Sequence, residues 1–241
     1  MAKPTIVFVP GAWHTPTHYV AITSFFESKG YPVICNQNPS CGATDPKLDN
    51  NDDADAVHKS IEGVDGDVVV IMHSYGGVVG ASAAAGARNV IGLIFIAAFV
   101  LPAGSSLQDA PEHDKSWLKL DLEKRTTMNI EPQRTLYQDV EESAAHRAIS
   151  HLLPQNMASF GTPSKQTSWP DIPKIYALCT DDQIMPPHAQ EIMIEQMGNW
   201  LEVKRMDTGH SPWMSKEDES NAWLLSAVEK LVAHKLKSNS H

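Results

Sequence analysis

Unbroken apolar runs alternate with segments of helical spacing through the first hundred residues. Thr5 to Val9 is a strand-like run that ends at Pro10-Gly11. From Thr17 to Lys29 the large apolar residues fall at Tyr19, Ile22, Phe25 and Phe26, the spacing of one helix face, and Gly30 stops the pattern. Val33-Ile34-Cys35 reads as a second strand. The Asp/Asn-rich stretch around Asp49 to Asp55 reads as a loop that turns into a helix ending near Gly63. Asp67 to Met72 carries Val68, Val69, Val70 and Ile71 in succession. A strand with no polar face is buried on both sides, as in a parallel sheet covered by helices. Gly76 to Ala87, rich in alanine and glycine, predicts a helix packed close to that sheet, and Val90 to Phe99 predicts the next buried strand.

The rhythm breaks between Pro102 and Trp169, where no comparable apolar strand occurs. The charged segments Trp117 to Arg125 and Val140 to Leu153 read there as helices, separated by Pro132, Pro154 and Pro163. Alternation then resumes. Pro173 to Thr180 reads as a strand, Pro187 to Met197 as a helix and Leu201 to Met206 as a strand. Glu217 to Leu236 follows as a long amphipathic helix with Trp223, Leu224, Val228, Leu231 and Val232. Repeated strand–helix units imply right-handed crossovers and a parallel sheet. The expectation is an α/β protein with a mostly parallel central sheet and helices on both faces. Residues 1–101 and 170–241 form this core, and 102–169 form an inserted helical cap. The insertion leaves one strand end and returns into another, which favours a lid over the carboxyl edge, where open α/β sheets bind ligands, above a helical excursion that only adds stability.

Composition and charge narrow the function classes. A chain of 241 residues with 42% hydrophobic positions suits one α/β domain with a sizeable core. With 19 Lys plus Arg against 29 Asp plus Glu, the net charge of −10 argues against nucleic acid or an anionic membrane as the main partner. Cys35, Cys41 and Cys179 are an odd set without a CxxC pair, which suggests reduced thiols rather than a disulfide framework or a zinc site. Val90 to Leu101, the longest apolar stretch, is too short to span a bilayer, and no apolar leader follows Met1. The expected location is therefore the cytoplasm, and monomer and homodimer both stay open. Neither a dinucleotide fingerprint nor a phosphate loop occurs, so no organic cofactor is expected, and no metal site is indicated.

The densest chemical signal is Met72-His73-Ser74-Tyr75-Gly76-Gly77. An apolar strand ends at a serine and a small-residue helix follows at once, the setting of a nucleophile elbow. Alone it is equally an ordinary strand–helix turn with Ser74 as the helix N-cap. A serine hydroxyl needs a base, and among 11 His the informative one is His210, between the last strand and the C-terminal helix. A carboxylate must orient that base, and Asp182 in Thr180-Asp181-Asp182-Gln183 is the candidate, with Asp181 the less favoured neighbour. All three lie at carboxyl ends of strands, in the order Ser74, Asp182, His210. The amides of Tyr75, next to the serine, and Ala12, after the first strand, are the expected donors to a tetrahedral oxyanion. His14, His18 and Trp169 could line a pocket, but Trp13 and Trp213 are the tentative substrate contacts. His73 reads as a structural neighbour of the elbow.

The chain resembles the α/β-hydrolase superfamily, in particular the small carboxylesterase-like branch that includes plant methylesterases and hydroxynitrile lyases. The resemblance is carried by Val9-Pro10-Gly11-Ala12-Trp13-His14, His73-Ser74-Tyr75-Gly76-Gly77, Cys179 to Pro186 and Thr208-Gly209-His210-Ser211-Pro212. It implies Ser74 as nucleophile, Asp182 as acid, His210 as base, and Ala12 and Tyr75 as oxyanion-hole amides. It further implies a serine hydrolase acting on a small or medium-sized ester or lactone. The alternatives are a cofactor-free lyase or carbon–carbon bond hydrolase with the same triad, and a low-turnover ligand-binding protein on a hydrolase scaffold. Two positions depart from the family pattern: Met72 stands where a glycine is usual, and Pro10 where many relatives have histidine. The lyases of the group tend to carry Thr at the position of Gly11 and Lys at that of Ser211.

Overall fold

The computed structural model describes residues 2–111, 114–168 and 172–238. In chain order, β1 (Thr5–Val9) leads through a 3-10 turn at Pro16–Tyr19 into α1 (Val20–Ser28), and β2 (Val33–Cys35) precedes α2 (Asn50–Glu62). Next come β3 (Val68–His73), α3 (Gly76–Ala83) and β4 (Val90–Ile96). After a 3-10 turn at Leu107–Asp109 the chain forms β5 (Leu118–Asp121), β6 (Thr126–Asn129), α4 (Pro132–Thr135), α5 (Glu142–Ser150), β7 (Gln155–Asn156) and α6 (Ala158–Gly161). It closes with β8 (Lys174–Cys179), α7 (Pro187–Met197), β9 (Glu202–Met206), α8 (Pro212–Ser215) and α9 (Glu217–Ser238).

Six strands form one parallel sheet in the order β2-β1-β3-β4-β8-β9. Their side chains divide between two apolar layers. Ile6, Phe8, Val69, Ile71, Ile94 and Ile96 pack with Ile22 and Phe26 of α1 and with Leu224, Val228 and Leu231 of α9. Val7, Val9, Val70, Met72, Leu93 and Phe95 pack on the other side with α2, α3 and α7, through residues such as Val57, Val79 and Met193. Burial on both faces is the physical reason for the unbroken apolar runs in β3 and β4. The fold expected from the alternation is thus the fold observed.

Two segments differ from expectation. The Asp/Asn-rich stretch is already helix from Asn50, because the Asp49 carboxylate caps α2 by accepting from the amides of Asn51 and Asp52. Trp117 to Arg125 is not a helix. Leu118 to Asp121 pairs antiparallel with Thr126 to Asn129, and β7 adds a third strand. Leu118 and Leu120 alternate with Lys119 and Asp121, a period of two that the surrounding charges obscure. The hairpin turn is closed by Asp121 Oδ1, which accepts from the Lys124 amide, and Arg125 takes a left-handed φ of 57°. The stretch between β4 and β8 is therefore mixed sheet and helix rather than helical throughout.

That stretch is tied to the carboxyl edge of the main sheet at several points. The Leu153 amide donates to the Trp13 carbonyl at 2.9 Å, Gln138 Nε2 to the Asp181 carbonyl at 2.8 Å, and the Gly209 amide to Asp139 Oδ2 at 2.6 Å. It thereby holds the loops after β1, β8 and β9. Among the described residues, no helix is long and apolar enough to cross a membrane.

Candidate active site

β3 delivers its last residue, His73, to the sheet edge, and the backbone turns sharply at Ser74 before α3 begins. Ser74 has a φ of 54°. A left-handed conformation at a residue with a β-carbon costs on the order of 1–3 kcal/mol and persists only where its surroundings enforce it. The enforcing contacts are local. The Ser74 amide donates to the Ile96 carbonyl, and the Ser74 carbonyl accepts from the amides of Gly77 and Phe99. α3 then passes so close to the chain after β4 that a β-carbon on Gly77 would sit 2.3 Å from the Phe99 carbonyl oxygen.

Met72, in place of the usual glycine, is accommodated by a second glycine. A β-carbon on Gly80 would lie 2.5 Å from Met72 Cγ and 2.6 Å from Sδ, so the thioether occupies the space that Gly80 leaves on α3. Gly80→Ala is accordingly expected to destabilise the fold by about 1–3 kcal/mol, the usual penalty for overpacking. Adding Met72→Ala should recover part of that loss. Urea midpoints of the two single variants and the double variant check this coupling.

The loop after β8 carries Asp182 and the loop after β9 carries His210. His210 Nδ1 lies 2.7 Å from Asp182 Oδ2, with both side chains buried. The other Asp182 oxygen accepts from the amides of Ile184 and Met185 at 2.8 and 2.9 Å, which fixes the carboxylate plane. Since a carboxylate only accepts, His210 must present its proton on Nδ1, which leaves Nε2 as the free basic nitrogen. Asp181 is exposed, and its carbonyl, not its carboxylate, is engaged by Gln138 and Gln183. Of the two neighbouring aspartates, Asp182 is the one beside the imidazole.

A buried polar chain joins these loops. The Gly11 amide donates to the Tyr19 hydroxyl at 2.9 Å, and that hydroxyl meets His73 Nδ1 at 2.8 Å. His73 Nε2 lies 3.0 Å from the His210 carbonyl oxygen. The carbonyl can only accept, so His73 donates from Nε2 and receives the Tyr19 proton at Nδ1, which makes it neutral. Burial agrees with this, holding the His73 pKa well below the ordinary histidine value. His73 is thus a strut between the β1 loop and the loop that carries His210. His14 is likewise buried behind the β1 loop, bonded to the Ala12 carbonyl and the Tyr137 hydroxyl, with its pKa lowered by desolvation.

Ala12, Ser74 and Tyr75 face one cavity of about 210 Å³. Its wall is mainly apolar, with Trp13, Phe99, Trp117, Met157, Phe160 and Ile184, while the exposed Gln108 and Lys115 add polar groups. Trp13 stands edge-on to Trp117 and Phe160, with ring centroids 5.9 and 5.7 Å away. Among the described residues, the amides of Ala12 and Tyr75 donate no hydrogen bond within the chain, although both residues are buried. A buried amide without a partner is costly unless a ligand completes it.

One sequence expectation changes here. Trp213 does not line this cavity. It packs beneath His73 and Tyr19, ring centroids 4.6 and 5.0 Å away, and its indole donates to the His18 carbonyl. It follows the Ser211-Pro212 turn into the core layer, so its proximity to His210 in sequence does not bring it to the serine. Trp169 lies outside the described residues. Burial pushes the thiols of Cys35 and Cys41 up to about 12, so neither is a thiolate nucleophile near neutral pH.

The sequence profile described as the Alpha/beta hydrolase family matches residues 6–223. The chain belongs to the alpha/beta hydrolase family. A relative with 30% identity is the alpha/beta hydrolase nvfD of Aspergillus novofumigatus (strain IBT 16806), the match spanning 90% of this chain and 94% of that one. Solved structures share the fold at lower identity. A pyrethroid hydrolase from Sphingobium faniae JZ-2 has 19% identity and a TM-score of 0.79, covering 94% of this chain and 98% of that one. A methylesterase from Arabidopsis has 18% identity and a TM-score of 0.77, covering 94% and 99%. In this alpha/beta hydrolase, Trp117, Met157 and Phe160 are among the cavity residues that motif reading missed. They come from the stretch between β4 and β8, where no pattern in the sequence says which side chains turn inward.

Proposed function

We propose that this alpha/beta hydrolase is a serine hydrolase of small or medium-sized carboxylic esters or lactones whose apolar part enters the cavity beside Trp13. The reading is carried by one convergence: a serine in a strained left-handed turn and a buried His210–Asp182 pair, brought to the same sheet edge. Ser74 Oγ attacks the carbonyl carbon while His210 Nε2 takes its proton. The tetrahedral oxyanion is held by the Ala12 and Tyr75 amides. His210 then protonates the leaving alkoxide, and the acyl group remains on Ser74. Water, deprotonated by His210, attacks the acyl-enzyme, and His210 returns the proton to Ser74 Oγ as the acid leaves. Asp182 holds the ring and stabilises the imidazolium without taking a proton. In this reading, residues 102–169 act as a cap that supplies Trp117, Met157 and Phe160 to the apolar wall.

The lyase alternative is disfavoured at Gly11. A β-carbon there would sit 2.7 Å from His73 Nδ1 and 3.1 Å from Ser74 Cβ, so the threonine typical of the related lyases has no room. A series of p-nitrophenyl esters from acetate to octanoate tests the proposal. kcat/KM should rise about fourfold per methylene while the chain still enters the cavity, from about 0.8 kcal/mol per buried CH₂, and then fall. No turnover across the series, with no reaction towards a fluorophosphonate, would rule the hydrolase out.

A further inference from the structure

Asp53 is a fully buried carboxylate that the steps above do not use. Its Oδ2 accepts from the Tyr75 hydroxyl at 2.6 Å and from Ser40 Oγ at 2.5 Å, and its Oδ1 accepts from the Ser40 amide at 2.8 Å. Ser40 Oγ in turn accepts from Gln155 Nε2, whose second proton goes to Ser159 Oγ at 2.9 Å. Gln155 Oε1 accepts from the Trp13 amide at 3.3 Å. An ionised carboxylate only accepts, so Asp53 is the terminal acceptor of this network. The two ends of the chain are informative. Tyr75 follows Ser74, whose φ is 54°, and Trp13 follows Ala12 and itself has a φ of 65°. The network therefore anchors the side chain of one proposed oxyanion donor and the residue next to the other, each at a strained turn.

We propose that Asp53 is a positioning residue that sets the spacing of the two oxyanion amides, through the Tyr75 hydroxyl on one side and through Ser40, Gln155 and Trp13 on the other. The proposal rests on the serine-hydrolase reading. Loss of the carboxylate would let both strained turns relax, and the amides would no longer converge on the point where the oxyanion forms.

A structural cross-link alone does not account for this choice of group. Burial pushes the Asp53 carboxyl up to about 6, despite the three donors around it. A carboxyl that binds its proton more tightly folded than at its ordinary 3.8 stabilises the fold most at low pH, and that contribution is lost as pH rises through about 6. The ionised form is thus held at the expense of stability, while the network requires it, because a protonated carboxyl or an amide would present a donor back to Tyr75 or Ser40. The titratable groups facing it do not blur this. The Cys41 thiol is pushed up to about 12 by burial and then by Asp53 itself, and the Tyr75 hydroxyl is raised well above its ordinary value. Asp52 adds only like-charge repulsion. His58, on the same helix, is directed to the Ala83 carbonyl.

Asp53→Asn, Tyr75→Phe and the double variant, compared with wild type on one ester, test this. Each single variant should lower kcat about tenfold to a hundredfold, a part of what removing an oxyanion donor costs, with KM within about twofold. The double variant should be no worse than the poorer single. In wild type, log kcat should fall more steeply below pH 6 than in Asp53→Asn, because protonation of the Asp53 carboxyl then adds a loss that the variant lacks. The urea midpoint of Asp53→Asn at pH 8 should match or exceed that of wild type. Unchanged kcat in Asp53→Asn, additive losses in the double variant, or identical acid limbs would overturn the proposal. If Asp53→Asn does not fold, Tyr75→Phe decides: a kcat loss with KM retained supports the network, and an unchanged kcat refutes it. Wild type without Ser74-dependent turnover would instead overturn the hydrolase reading, and this proposal with it.

Discussion

Ser74→Ala will abolish labelling by a fluorophosphonate and lower kcat on an ester by about 10⁴- to 10⁶-fold. The range follows from what remains. Without Oγ there is no acyl-enzyme, and His210 can at best direct a water at a carbonyl held by the oxyanion amides and the apolar wall. The variant should fold as wild type does. Alanine has the same β-carbon as serine at φ 54°, so the strain at the elbow is unchanged, and the backbone bonds to Ile96, Gly77 and Phe99 involve no hydroxyl. A loss of activity therefore cannot be assigned to unfolding, and coincident urea curves for the two proteins would confirm that. The result is also specific among serines. Ser40 Oγ and Ser159 Oγ each donate to a fixed acceptor, Asp53 and the Asn156 carbonyl, so neither can take over attack without breaking the network. If Ser74→Ala is labelled as fast as wild type, the nucleophile has been misassigned.

Sequence and structure agree most closely where one local rule governs several residues at once. The apolar runs of β1, β3 and β4 predict burial on both faces, and Ser74 stands at the end of β3, as Asp182 and His210 stand beyond the ends of β8 and β9. The period of two in Leu118 to Asp121 is only four residues long and carries two charges, so it reads as a solvated helix until its antiparallel partner at Thr126 to Asn129 is seen. The Asp53 network is hidden by reading Asp49 to Asp55 as a loop, and only the helix from Asn50 reveals the phase. Ala54, Val57 and Ile61 mark the buried stripe of α2, and Asp53 lies in phase with it, an acid on an apolar face. What no local pattern contains is the partner set. Ser40 and Gln155 are 115 residues apart and meet only because β7 is drawn against the loop after β2, where Cys41 bridges to Gln155. Trp213 failed for the opposite reason. It is three residues from His210 in sequence, but the α8 turn directs it into the core.

Asp182→Asn is expected to lower kcat about 10⁴-fold with little change in KM, whereas Asp181→Asn should stay within about twofold of wild type. The asparagine carbonyl can keep the bonds to the Ile184 and Met185 amides, so the loop has no reason to move. Its NH₂ group then faces His210 Nδ1 at the position where Asp182 Oδ2 now accepts at 2.7 Å. Two donors cannot share that contact. His210 must shed the Nδ1 proton and carry it on Nε2, where it blocks the nitrogen that in the proposed mechanism deprotonates Ser74. The imidazolium formed during attack also loses its counter-charge in a buried site, where that charge is worth most. KM is spared because the apolar wall of the cavity does not include Asp182. Fluorophosphonate labelling should slow in proportion to kcat, since it requires the same deprotonated serine. A variant that retains more than a tenth of wild-type kcat, or a comparable loss in Asp181→Asn, would mean that His210 is oriented by something other than Asp182.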